Sequence, residues 1–333
     1  MKIYLAGDSI VQNYEKEEFI AGWGQFLPFF IKDGVEVVND AKGGRSSRLF
    51  INEGRFDNIE KNISAGDYLL IEFCHNDDAS KEYKTMFNRL TPLGEPDSDG
   101  RFLIIPGEAM PKDYIPPEYI DALRKDVNVK DKQAVLDSVY KILESYPHDT
   151  YYPYSADGSK GTYLWFLKQF VDMAREKGAV PVFVTAPART VYDANGNIKD
   201  GAGLHGGNNF AYIRAMKQLG EEAKVPVIDL FAYSCGLYKQ IGKEKIHWIT
   251  SIKKGCNKGI WPDDFNSEMQ KKETVSEDTH FNKYGAMLIT QGLVKLIKES
   301  DSSQLDGLKG MLKNPDGIDI EKYVKKPLVF EEF

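Results

Sequence analysis

Short runs of β-branched and apolar residues alternate along this chain with amphipathic stretches of helical length. The apolar runs predict strands over residues 2–6, 35–39, 68–73, 180–185 and 225–230. Three- and four-residue apolar spacing predicts helices near 24–31, 53–63, 133–146, 163–177, 209–224 and 283–298. In the last of these Ala286, Ile289, Leu293 and Leu296 mark one face. Strands that are apolar throughout, set between amphipathic helices, predict a parallel sheet covered on both faces. Right-handed crossovers then make a doubly wound α/β sandwich the expected topology.

The alternation breaks twice. Residues 78–160 are rich in Pro, Tyr, Asp and Gly and carry one convincing helix, and residues 233–276 hold Trp248 and Trp261 in mixed polar sequence. Loops this long in a compact body serve as lids or binding walls, or are surface decoration with local packing. A tail over 300–333 ends in Leu328, Val329, Phe330 and Phe333 and is expected to dock back on the body.

Composition narrows the classes. With 42% hydrophobic and 28% charged residues the chain is expected to fold as an ordinary globular protein. Forty-three Lys and Arg against 50 Asp and Glu leave a net charge of −7 without basic runs, which argues against nucleic acid as a partner. No apolar stretch reaches the roughly 18 residues that a membrane span needs, so a membrane is not an expected partner either. The first residues enter a strand directly and lack the sections of a signal peptide. The expected location is therefore cytoplasmic, or secreted if a leader has been removed. Of three cysteines, only Cys235 and Cys256 lie close enough in sequence to suggest a bridge, and none forms a CxxC metal clip.

The candidate chemistry sits at strand ends. The first strand runs out at Gly7-Asp8-Ser9, and open parallel sheets bind ligands outside the carboxyl ends of their strands. The second runs out into Ala41-Lys42-Gly43-Gly44-Arg45-Ser46-Ser47, where paired glycines let backbone amides approach a ligand. The third ends at Phe73-Cys74-His75-Asn76-Asp77 and offers a carboxamide donor. Near the C-terminus, Ser276-Glu277-Asp278-Thr279-His280 places acid and histidine just before a helix. Together these are the parts of a serine nucleophile, an oxyanion hole and a carboxylate-oriented base.

Those four blocks resemble the SGNH (GDSL) hydrolases, and more closely the rhamnogalacturonan acetylesterases of carbohydrate esterase family 12. The likeness runs through the whole of residues 37–78. It includes Trp23 with its flanking glycines, and Thr279-His280-Phe281-Asn282 leading to Tyr284-Gly285-Ala286. It covers roughly 1–77, 161–232 and 276–298. The resemblance implies a flavodoxin-like three-layer sandwich with a five-stranded parallel sheet over 1–299, insertions at 78–160 and 233–276, and an extension over 300–333. It makes Ser9 the nucleophile and His280 the base, with the Ser9 and Gly44 N–H groups and the Asn76 side chain as oxyanion donors. Two departures stand out. Cys74 replaces the family's glycine and is expected to intrude beside the oxyanion hole. The acid three residues before the histidine is Glu277, with Asp278 one residue nearer; spacing favours the first and residue type the second.

The implied activity is a cofactor-free, metal-free O-acetylesterase acting on pectic, rhamnogalacturonan-type oligosaccharides through an acetyl-serine. Alternatives are an esterase or lipase for another small acyl ester, or a silenced glycan-binding homologue. An acidic enzyme for an acidic glycan is an electrostatic tension that Arg45, Arg48 and Arg55 are placed to relieve. Other signals carry less. Gly201-Ala202-Gly203-Leu204-His205-Gly206 fits a dinucleotide fingerprint but follows a polar loop rather than a strand. His75 reads as structural, and His148, His205 and His247 show no ligand spacing. Tyr151, Tyr152, Tyr154, Trp165, Trp248 and Trp261 can stack on sugars, though packing is the commoner use of such side chains.

Overall fold

The computed structural model describes residues 1–15, 20–78, 89–199, 209–252 and 276–324, without the side chains of 209, 252, 276 and 277. The call on the glycine motif at 201–206 lies outside the described residues, as do those on Cys256, Trp261 and the tail beyond 324. Its strands are β1 (Lys2–Gly7), β2 (Glu36–Asn39), β3 (Tyr68–Glu72), β4 (Met110–Pro111), β5 (Thr150–Tyr151), β6 (Val180–Val184), β7 (Val227–Ile228), β8 (Thr250–Ile252) and β9 (Ser276–Phe281). Five of them form one sheet in the order β2-β1-β3-β6-β7, with every neighbouring pair parallel. This is the flavodoxin-like order, whose switch point lies between β1 and β3.

The period of two along each strand divides the core. Ile3, Leu5, Tyr68, Leu70, Val182 and Val184 face one cluster. In it the helices Leu230–Ile241 and Lys283–Glu299 pack with Trp23 and Phe30. Tyr4, Ala6, Leu69, Ile71 and Phe183 face the other, under helices Tyr163–Glu176 and Asn209–Ala223. The strands read as unbroken apolar runs because both faces are covered. Residues beyond 300 join the first cluster through Leu305, Leu308, Met311, Leu312, Ile320 and Val324.

Several elements differ from the pattern-based expectation, each for a local reason. The second expected helical segment, 53–63, begins only at Arg55 because Gly54 turns the chain at φ +70°, and a separate, unexpected helix Ser47–Asn52 precedes it. Ser46 caps that helix by accepting from the Leu49 N–H. Pro28 tightens the segment after Trp23–Phe26 into a 3₁₀ turn at Leu27–Phe30. Residues 233–241, expected to be loop, lie in the helix Leu230–Ile241, capped by Asp229. The segment 89–160 holds two helices, Pro117–Lys125 and Lys132–Ser145, and the β4–β5 ladder. It carries its own small core, in which Tyr119, Leu123, Val139, Leu143, Tyr146 and Tyr151 pack on Leu49.

Arg48 pins this segment to the helix Ser47–Asn52. The side chain is fully buried, and its guanidinium donates to Leu90 O (3.1 Å) and Tyr152 O (2.8 Å). Asn52 adds a reciprocal pair with the Tyr152 backbone, 2.9 Å each way. Replacing Arg48 by Met leaves Leu90 O without its donor, at about 1–3 kcal/mol for a buried group left unsatisfied, while Tyr152 O keeps the Asn52 amide. Arg48→Met is expected to lower the melting temperature and to raise amide exchange in 89–160 well before exchange rises in β1 or β3. Uniform exchange across the chain would contradict this role.

Candidate active site

Three strand ends meet at the switch point. Ser9 follows β1 in a tight turn, with Val11 N and Gln12 N donating to Asp8 O. Glycines make that turn possible. A Cβ on Gly22 would sit 2.4 Å from Gln12 O, and one on Gly24 would sit 2.4 Å from Val11 O. The segment around Trp23 therefore packs directly on the backbone behind Ser9, and Trp23 N donates to Ile10 O. From the other side the turn after β2 closes in, where a Cβ on Gly43 would lie 3.3 Å from the Ser9 Cβ. Gly44 has φ +81°, a conformation that glycine adopts without strain.

His280 reaches the same point from the far end of the chain. It lies in β9, which pairs antiparallel with β8 and bridges to Ala21 through Phe281. Asn282 then caps the next helix by accepting from Gly285 N, while its amide donates to Trp248 O and Thr250 O. Gly285 is obligatory in this join, since a Cβ there would fall 2.0 Å from Ile249 O. The result is a Ser9 Oγ to His280 Nε2 distance of 2.7 Å, with Ser9 only 8% exposed. That separation is what a hydroxyl and the base that takes its proton require. Among the described residues neither the Ser9 N–H nor the Gly44 N–H has an acceptor.

Buried carboxyls tie the strand ends together. Asp8 accepts from Ile10 N (2.8 Å) and from the Asn76 Nδ2 (3.1 Å), which fixes the carboxamide beside the turn that carries Ser9. Asp77 accepts from Ser47 N (3.0 Å) and Ser47 Oγ (2.5 Å), joining the end of β3 to the helix that follows the glycine turn. Glu72 lies beneath them, with neither carboxylate oxygen hydrogen-bonded. Burial pushes all three carboxyls up, Asp77 to about 7, and Glu72 is raised further by the charges of Asp8 and Asp77. Sequence reasoning named Asp8 only as a neighbour of Ser9; its burial could not be read from the sequence.

Other expected residues fall in different places. Cys74 is buried in the second core cluster, where desolvation raises its thiol pKa, rather than at the edge of the cleft. His75 is buried, donates from Nε2 to Pro187 O (3.1 Å) and is held neutral by burial and by Arg189. Asp278 Oδ1 is engaged by Thr279 Oγ1 (2.9 Å) and by the buried Arg189 Nη1 (3.4 Å). The side chain of Glu277 lies outside the described residues. His148 meets Asp57 on the surface, and His247 lies edge-on to Trp248. Tyr151, Tyr154 and Trp248 are buried, while Tyr152 packs edge-on against Trp165. Cys235 carries a free thiol.

The arginines expected to receive an acidic glycan are otherwise occupied. Arg45 forms a two-pronged pair with Glu53, 2.8 Å on each arm, and Arg55 binds the same carboxylate at 3.1 Å. Arg48 is interior. No helix among the described residues is long and apolar enough to cross a membrane.

Comparison with known proteins places this arrangement among esterases. The chain is 30% identical over 300 residues to the rhamnogalacturonan acetylesterase RhgT of Bacillus subtilis, covering 90% of each. It is also 30% identical over 298 residues to the probable rhamnogalacturonan acetylesterase YesY of the same organism, covering 89% of this chain and 92% of that one. Among solved structures, the crystal structure of YxiM from Bacillus subtilis superposes with a TM-score of 0.53 at 19% identity. That match covers 91% of this chain and 57% of the longer YxiM chain, and supports the fold. No family model matches the sequence.

The three buried carboxyls predict an unusual pH dependence of stability. Their folded-state pKa values lie above the unfolded values, so the fold binds more protons than the unfolded chain. Stability is fully present below the ordinary carboxylate range and is lost as pH rises through about 7, the Asp77 value. Glu72→Gln removes the carboxyl with unpartnered oxygens and is expected to flatten the fall in melting temperature between pH 5 and 8. A thermal-shift series across that window checks it; an unchanged slope would relocate the linkage to other groups.

Proposed function

Because this chain belongs to the rhamnogalacturonan acetylesterases of the SGNH (GDSL) hydrolases, and is therefore a carboxylic ester hydrolase, we propose that it removes acetyl groups from pectic oligosaccharides through Ser9. The observation that carries the reading is the 2.7 Å contact between Ser9 Oγ and His280 Nε2 at the carboxyl end of β1. His280 takes the hydroxyl proton as Oγ attacks the acetyl carbonyl. The oxyanion that forms is received by the Ser9 and Gly44 N–H groups and the second N–H of the Asn76 amide, the first being held by Asp8. His280 returns the proton to the departing sugar hydroxyl. The same imidazole then activates water, which releases acetate from the acetyl-serine.

The carboxylate that orients His280 is assigned to Glu277. It stands three residues before the histidine, the family's spacing, and the rival Asp278 is committed to Arg189 and Thr279. Asp278 instead helps hold β9 against the segment after β6, where Thr190 N donates to its backbone oxygen.

Acetate release from acetylated rhamnogalacturonan, acetylated xylan and 4-nitrophenyl acetate tests the reading. The pectic substrate is expected to be turned over fastest, and Ser9→Ala to abolish turnover of all three without loss of fold. Asn76→Ala is expected to lower kcat by about 10²–10³-fold, the loss typical of one oxyanion donor. Activity surviving in Ser9→Ala would overturn the mechanism; preference for xylan would keep it and change the substrate.

The acid assignment has its own test. Glu277→Gln is expected to lower kcat by roughly 10⁴-fold, as loss of the orienting charge does in other serine hydrolases. Asp278→Asn is expected to cost less than about tenfold, through β9 mobility alone. The reverse order of effects would give the role to Asp278.

A further inference from the structure

One cation beside Ser9 remains unaccounted for. Arg89 lies where the chain returns toward the glycine turn, half-buried. A Cβ on Gly44 would meet its Nη2 at 3.3 Å, Cζ at 3.5 Å and Nε at 3.7 Å. Three guanidinium atoms at nearly one distance mean that the group lies broadside over Gly44. Only glycine leaves that space, and a Cβ on Gly43 next to it would lie 3.3 Å from the Ser9 Cβ. Arg89 is thus one residue of turn away from the nucleophile.

Its charge is unanswered. Among the described residues no carboxylate or carbonyl accepts from the Arg89 guanidinium. The charged group that faces it is Arg45, whose own guanidinium is already bound on both arms by Glu53. Burial and Arg45 together pull the Arg89 pKa below its ordinary value. A partly desolvated guanidinium without an acceptor carries a cost that a planar anion relieves with two parallel hydrogen bonds. Lys42, exposed in the same turn, adds to a local positive field in a chain of net charge −7.

We propose that Arg89 forms a carboxylate subsite beside Ser9, which takes the carboxylate of a uronic-acid unit in the acetylated glycan. The inference rests on the pectic reading above and names the group by which the site recognises that substrate. It also answers the electrostatic tension of an acidic enzyme with an acidic substrate. Arg45, Arg48 and Arg55 are consumed by internal contacts, whereas Arg89 is held over the glycine turn with its donors unspent among the described residues.

The test compares acetylated rhamnogalacturonan oligosaccharides with the same oligosaccharides after their carboxyl groups are reduced to neutral alcohols. Acetate release is measured for the wild type and for Arg89→Gln. The wild type is expected to prefer the uronate form by about 10- to 100-fold in kcat/KM, mostly through KM, as a charge-assisted pair implies. Arg89→Gln is expected to bring the two forms within about twofold of each other and to remove the salt dependence of the preference. Arg89→Lys keeps a charge but not the two-pronged geometry and is expected to retain part of the preference. It serves in place of Arg89→Gln should that variant fail to fold. A full wild-type preference in either variant would overturn the subsite, as would a wild type indifferent to carboxyl reduction. Failure of the pectic reading looks different: the wild type would then release acetate from xylan and not from either form of rhamnogalacturonan.

Discussion

The buried carboxylate of Asp8 is the fixture on which the site depends. It sits between two strand ends, holding the backbone after Ser9 through Ile10 N and the Asn76 carboxamide through Nδ2. Asp77 does the same between the end of β3 and the helix after the glycine turn, through Ser47. The desolvation of these groups, with Glu72 packed beneath them, is a standing cost to the fold. What it secures is position: Ser9, the glycine turn and the Asn76 carboxamide are cross-linked to one another rather than to loops. Catalysis by preorganised donors depends on such rigidity.

The second requirement is to bring His280 from the last quarter of the chain to within 2.7 Å of Ser9. No strand of the central sheet does this. β9 is placed by β8, by the bridge from Phe281 to Ala21, and by the segment after β6, whose Arg189 and Thr190 bind Asp278 and Thr279. Asn282 then locks the strand to the following helix, and the missing side chain at Gly285 lets Ile249 approach. The glycines around Trp23 play the matching part on the nucleophile side. Backbone contacts closer than any Cβ allows set the geometry on both sides of the cleft.

Charge is arranged to the same end. The net charge of −7 describes the whole surface, yet the glycine turn is ringed by Lys42, Arg45 and Arg89. Glu53 gathers Arg45 and Arg55 into one half-buried cluster, and Arg48 is withdrawn into the interior to fasten the inserted helices. Arg45, Arg48, Arg55 and Arg89 thus serve three purposes: a half-buried pairing on Glu53, a buried staple, and a cation laid over the glycine turn.

The sequence by itself determined the sheet, its parallel sense and its two covered faces, because burial on both sides imposes unbroken apolar strands. It also marked Ser9, Gly44, Asn76 and His280 as candidates, and their blocks carry short-range constraints such as tight turns, caps and obligatory glycines that can be read locally. The helix Ser47–Asn52, the strand character of Ser276–Phe281 and the partners of Asp278 came only from the tertiary structure. Those features are set by contacts between residues some tens to hundreds of positions apart, which leave no periodic trace. The role of Arg89 belongs with them: nothing in its neighbours along the chain distinguishes it, and only the fold lays it over Gly44, without an acceptor among the described residues.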